Sequence, residues 1–267
     1  MNITNTSDLL SFYYLQNRQK AQEKAMIQLS TARRVNKASD DPAGLAISNR
    51  MNSRISSYQT GTRNVNDASS MLNTADGATG SLDKILNKMK DLSIQADNGT
   101  LNNSDRQSIQ KEFDQLKKEY DHITETTNFN GIKVLNNTSA LNVNSGEGAE
   151  TIQTTDLSSG TSNAVNLENI NLTAPGGAQT ALTQIQDALK AVSDTRTSFG
   201  AQQNALEQRI NVNAAMEIEQ TRAVSKIEDA DMAQSVSDLV KQNILSQSTI
   251  AAMKLQQSNS SMMTQLL

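Results

Sequence analysis

Apolar residues return every three or four positions along two long stretches of this chain. Between Pro42 and Asn98, apolar or small residues fall at Met51, Ile55, Tyr58, Thr62, Val65, Ala68, Leu72, Ala75, Ala78, Leu82, Ile85, Met89, Leu92 and Ala96. The steps average about 3.5 residues, the spacing of a coiled-coil seam, which predicts one unbroken helix of roughly 85 Å. From Ala178 the pattern resumes at Leu182, Ile185, Leu189, Val192, Phe199, Leu206, Ile210, Val224 and Ile227, with Arg196, Gln203, Asn213, Glu217 and Gln220 between. A shorter helix is predicted from Ile109, Phe113, Leu116, Tyr120 and Ile123, opened by Ser104 and Gln107 as a capping box.

The ends follow another rule. Residues 230–267 hold four charges, Asp231, Asp238, Lys241 and Lys254, and their apolar residues occupy more than one stripe. Met232, Val236, Leu239, Val240, Ile244, Leu245, Ile250, Met253, Leu255, Met262, Met263 and Leu266 make a face too wide for one partner helix. Leu9, Leu10, Phe12, Tyr13, Leu15, Met26, Ile27 and Leu29 repeat this at the other end. Surface of that extent marks a protein–protein interface.

Turn residues place the breaks. Asp41 is a candidate N-cap with Pro42 as first helical residue, and the preceding helix is expected to stop by Ser39 or Asp40. Asn98-Gly99 ends the long helix, and Asn130-Gly131 sets a small hairpin between Phe129 and Ile132. Gly61, Gly77 and Gly80 interrupt the long helix, with a bend or close backbone approach expected near Gly77. Residues 136–177 are rich in Asn, Ser, Thr and Gly, consistent with short strands or with disorder, and Pro175-Gly176-Gly177 closes them. The fold class is mainly α: a long antiparallel helical hairpin or coiled-coil bundle with a small β-hairpin and a short polar insert.

Composition supports that shape. Residues are 36% hydrophobic but only 3% aromatic, without tryptophan, which suits helices side by side better than a deep globule. A net charge of -4 from 24 basic and 28 acidic residues leaves no nucleic-acid footprint. Cysteine is absent, and no apolar run is long enough to span a membrane. Met1 to Asp8 lacks a basic segment leading into an apolar one, so export is expected without a conventional cleaved signal.

Chemistry is sparse. His122 is the only histidine and is read as a surface residue; neither a zinc-protease helix motif nor a phosphate-binding glycine loop is present. Asp40-Asp41 reads as capping rather than an acid–base pair, with Arg33 and Arg34 as possible ion partners. Glu228, Asp229 and Asp231 read as charge bias at a helix start. No catalytic, cofactor-binding or metal-ligating residue is expected. The Ser/Thr-rich stretch 151–162 is a candidate for O-glycosylation or a bare loop, and Asn136 and Asn137 begin weak N-glycosylation sequons.

Four ordered motifs resemble bacterial flagellins: LSTARRVNKASDDPAGLAIS at 29–48, LSIQADNGT at 92–100, FNGIKVL at 129–135 and SKIEDADMA at 225–233. The likeness covers roughly residues 1–136 and 180–267. It implies a secreted, extracellular structural subunit that polymerises into the motility filament of the bacterial flagellum. Residues 1–40 and 230–267 would form the two halves of an inner coiled-coil domain, 41–135 and 178–229 an outer-tube domain, and 136–177 a short variable surface insert. The partners implied are further copies of the chain, an export chaperone on the C-terminal segment, and the filament cap and hook-junction proteins, after type III export. On the terminal helices, Leu9, Phe12, Leu15, Leu29, Val236, Leu239, Ile244, Ile250, Met253 and Leu255 are the expected assembly contacts.

The chain departs from the common pattern at its C-terminus, without proline or a final arginine, and in the aromatic run Phe12-Tyr13-Tyr14. Lys88-Met89-Lys90-Asp91-Leu92 stands where the animal flagellin-sensing Toll-like receptor typically meets Arg-x-Arg-Glu-Leu. Lysine lacks the planar fork of arginine, so weakened receptor activation is expected. The alternatives are a hook–filament junction protein, which shares the terminal helices, and a secreted coiled-coil effector or adhesin.

Overall fold

The computed structural model describes residues 3–160 and 165–266. Five helices and two hairpins follow in order: α1 (Ile3–Thr31), α2 (Pro42–Ala96), α3 (Asn103–Thr126), β1 (Asn128–Phe129), β2 (Ile132–Lys133), β3 (Ala140–Asn144), β4 (Ala149–Gln153), α4 (Gly177–Glu228) and α5 (Met232–Leu266). The chain divides into two compact units, residues 1–55 with 218–267, and residues 56–217. These boundaries fall within α2 and α4.

In the unit of residues 56–217 the expected seam is the core. Val65, Leu72, Ala75, Leu82, Met89, Leu92 and Ala96 of α2 are buried with Ile185, Val192, Phe199 and Leu206 of α4. Met71 and Leu86 join them from beside the predicted stripe. Four of the five polar residues read along α4 are paired across the seam. Arg196 meets Asp76 at 2.9 Å, Gln203 donates to Asn73, Asn213 to Thr62, and Glu217 accepts from Gln59. Partner numbers rise along one helix as they fall along the other, so the helices run antiparallel. Such polar pairs fix register, because a slip would strand each of them.

α3 closes the core with Ile109, Phe113 and Tyr120. Its capping box is Asn102 with Asp105, two residues earlier than the expected Ser104 and Gln107. Asn accepts well at this position and the short aspartate side chain reaches back to the Asn102 N–H. Asn130 and Gly131 both adopt positive φ, 51° and 81°, in the two-residue turn between β1 and β2, as expected of Asn-Gly.

Within 136–177 the chain forms β3 and β4, and several of its apolar residues turn inward. Ile152, Leu157, Val165, Leu167 and Leu172 are buried in the same core as the helices. Within the Ser/Thr-rich stretch, Thr151 is exposed, Thr154 is buried, and Thr161 and Ser162 lie outside the described residues. β3 and β4 pair antiparallel from Ala140↔Gln153 to Asn144↔Ala149. Their tip lies against α2 and α4: Asn213 Nδ2 donates to Ser145 O at 3.0 Å and Asn64 Nδ2 to Asn144 O at 2.9 Å.

The close backbone approach sits at Gly61, not at Gly77. A Cβ on Gly61 would collide with the Ser145 carbonyl and come 2.6 Å from Gly146 N, whereas Gly77 and Gly80 face open space. Gly61→Ala is therefore expected to displace the hairpin tip and destabilise this unit by about 1–3 kcal/mol. Gly77→Ala should be neutral or stabilising by up to about 1 kcal/mol. Thermal unfolding of the two variants checks the contrast.

Tyr120 is fully buried and its hydroxyl donates to Leu157 O at 2.9 Å. Burial first, then the nearby charges of Asp121 and Asp156, hold its pKa above the ordinary tyrosine value. A neutral group whose folded pKa is raised contributes stability below its unfolded pKa, and that contribution is lost as pH climbs past it. Stability should thus decline above about pH 10. Tyr120→Phe should flatten part of that decline while costing about 0.5–1.5 kcal/mol at neutral pH through the lost hydrogen bond. Denaturant midpoints from pH 8 to pH 11 read both effects.

Candidate assembly surface

α1 and α5 pair antiparallel. Arg18 Nη1 donates to Gln242 at 3.4 Å, and the Ala230 N–H donates to Ala32 O at 3.0 Å. Pairing covers only part of the apolar surface. Leu9, Phe12, Val236, Ile244, Ile250 and Leu255 stay exposed, Leu9 at 74%, Leu255 at 67% and Ile244 at 60%. Leu15, Leu29, Leu239 and Met253 are half-buried. Leu10, Tyr13, Tyr14, Met26 and Val240 add to the bare surface. The side chains of Met263 and Leu266 lie outside the described residues. The wide apolar face read from the sequence thus leaves these residues in water, where covering them releases about 25 cal/mol per Å².

The break between α1 and α2 meets the break between α4 and α5. α1 stops at Thr31, eight residues before Ser39, because Ala32 turns to φ 54°. Arg33 then forms an antiparallel bridge with Asp229, and the Arg34 N–H donates to Glu228 O. Arg33 and Arg34 do not pair with Asp40 and Asp41 as expected. Arg33 lies 3.2 Å from the Glu228 carboxylate, and the Arg34 guanidinium donates to Ile227 O. Asp40 is held by Lys24 at 2.9 Å and by the N–H groups of Asn36 and Lys37, and these contacts, Lys24 first, lower its pKa. Asp41 caps α2, accepting from the Gly44 N–H at 2.9 Å.

Glu228 is not at a helix start. It is the last residue of α4, and its side chain is buried between Arg33 and the Ser48 hydroxyl, which donates to it. Only Asp231 of the acidic cluster caps α5, accepting from the N–H groups of Ala233 and Gln234. The reason is topological. Stopping α1 at Thr31 brings a basic pair beside the end of α4, and a buried carboxylate needs such a partner.

Elsewhere, His122 is exposed on α3. In the stretch read as receptor-facing, Met89 and Leu92 lie in the core, 0% and 4% exposed, so that reading narrows to Lys88, Lys90 and Asp91. No described helix is long and apolar enough to cross a membrane.

Long antiparallel helices with a buried seam in one unit, and a terminal helix pair with bare apolar faces in the other, define a helical structural subunit. Residues 3–140 match the bacterial flagellin N-terminal helical region and residues 182–267 the bacterial flagellin C-terminal helical region. A flagellin of Halalkalibacterium halodurans is 39% identical over 86% of this chain and 85% of its own length. A flagellin of Listeria monocytogenes is 30% identical over 99% and 98%. The crystal structure of Bacillus cereus flagellin superposes with a TM-score of 0.50 at 38% identity, covering 56% of this chain and 88% of that one. The chain belongs to the bacterial flagellin family, and it is a structural subunit of the bacterial flagellar filament.

Proposed function

We propose that the exposed faces of α1 and α5 carry the contacts through which copies of this chain polymerise. In this reading residues 1–40 and 230–267 form the inner coiled-coil domain lining the filament channel. Residues 41–135 and 178–229 form the outer tube, with 136–177 completing its core and presenting the remaining outer surface. The observation that supports it is the row of bare apolar residues Leu9, Phe12, Val236, Ile244, Ile250 and Leu255. The monomer gains nothing from leaving them in water, and a neighbouring copy covers them.

The same exposure accounts for the other partners in this reading. An export chaperone shields α5 before secretion, and the cap and hook-junction proteins meet the same terminal faces outside the cell. The subunit works by packing and not by catalysis. Receptor recognition rests on the exposed part of residues 88–92 and is weak, since lysine stands where arginine is usual. Near full-length likeness to flagellins favours the filament subunit over the junction protein.

The test is a charge on the bare face. Ile244 is 60% exposed, so Ile244→Lys should leave monomer helicity and melting unchanged. Burying the unpaired charge against a neighbour should raise the critical concentration for seeded polymerisation by more than about tenfold. Filaments forming at the unsubstituted protein's concentration would sink the proposal.

A further inference from the structure

The chain has ten methionines and no cysteine, so oxidation at sulfur falls on thioethers alone. The structure sorts them. Met71 and Met89 are sealed in the core at 5% and 0% exposure, whereas Met26, Met232 and Met262 stand 55%, 43% and 53% exposed on the terminal helices α1 and α5, and Met216 is 45% exposed on α4. Each of the three on the terminal helices has an apolar residue at helical spacing on the same helix. Leu29 follows Met26 by three residues, Val236 follows Met232 by four, and Leu255 precedes Met262 by seven.

We propose that Met26, Met232 and Met262 are oxidation sites of the unassembled subunit, and that peroxide acting at them blocks addition to the filament until two thiols of a reductant become a disulfide, returning each sulfoxide to the thioether with its oxygen leaving as water. This rests on the reading that these faces are covered on assembly. In the step, the thioether sulfur attacks one oxygen of hydrogen peroxide. The S–O bond forms as the O–O bond breaks, the departing hydroxide takes up the proton to leave water, and the sulfur becomes a sulfoxide. The flexible apolar side chain turns polar, with an acceptor oxygen that must give up water when a neighbouring copy packs over it. Once the helices are packed against neighbours, peroxide is excluded from all three sulfurs. The modification is thus confined to subunits that have not yet been built in.

The experiment treats purified full-length protein with hydrogen peroxide, maps sulfoxides by peptide mass spectrometry, and measures elongation from filament seeds. Met26, Met232 and Met262 should oxidise well ahead of Met71 and Met89. Elongation should fall at least about tenfold, as expected for burying an unpaired polar group, and methionine sulfoxide reductase should restore it. A Met26→Leu, Met232→Leu, Met262→Leu variant keeps the apolar volume and should elongate equally before and after peroxide. Preassembled filaments should resist oxidation at the three positions. The proposal is overturned if oxidised protein elongates normally or if the leucine variant stays equally sensitive. Unoxidised protein that fails to elongate at all would overturn the assembly reading, and this inference with it. Elongation by unoxidised and oxidised protein alike would overturn this inference alone.

Discussion

Deletion of residues 248–267 is expected to leave a folded, soluble monomer that no longer elongates filaments. The deletion removes the exposed Ile250, Leu255 and Met262 but keeps the start of α5, where Gln242 meets Arg18. Residues 56–217, with their own core, are untouched. Each apolar side chain taken from water contributes about 1.5–3 kcal/mol. Losing two or three per subunit weakens each addition by a factor on the order of a hundred or more. Sedimentation and electron microscopy should find monomer at concentrations where the full chain polymerises, while the main thermal transition stays in place. Filaments of ordinary appearance from the truncated chain would refute a role for α5 in assembly.

The second expectation sets two phenylalanines against each other. Phe113 is 1% exposed in the core between α2, α3 and α4, and Phe12 is 62% exposed on α1. Phe113→Ala should destabilise its unit by about 3–5 kcal/mol, because the cavity does not collapse fully. For a unit of this size that lowers the melting temperature by roughly 6–20 °C. Phe12→Ala should leave melting within about 0.5 kcal/mol of the original, as for a surface change, and show its effect only in polymerisation. Calorimetry of both monomers, followed by seeded growth, separates the two roles. A drop in monomer stability for Phe12→Ala would mean that α1 is already covered in the single chain.

What the amino-acid pattern disclosed was local or periodic. The seam from Tyr58 to Ala96 announces α2 because every third or fourth residue must face one partner. Asp41-Pro42 and Asn130-Gly131 announce a helix start and a turn through backbone chemistry confined to a few residues. The unpaired apolar faces of the terminal helices were likewise legible, since their width exceeds what one helix covers. Other features depend on residues distant in the chain. Ile152, Leu157, Val165, Leu167 and Leu172 are isolated apolar residues in a polar stretch, with no period to mark them as core. Glu228 reads as helix-start charge until Arg33 and Ser48 close over it from far earlier in the sequence. Gly61 and Gly77 look alike in α2, and only the hairpin arriving at Ser145 distinguishes them.

That hairpin tip bears on where foreign sequence can be grafted. Hairpin ends are ordinarily the first choice for displaying a peptide, since extra residues there extend into solvent. Here Ser145 is buried, and Gly146, at φ 108°, lies close to the Ser57 carbonyl, so added length at the tip would lever it off α2. The neighbouring turn at Asn130-Gly131 is exposed and has open space at its glycine. Of the two hairpins, the shorter one is the one suited to carry cargo.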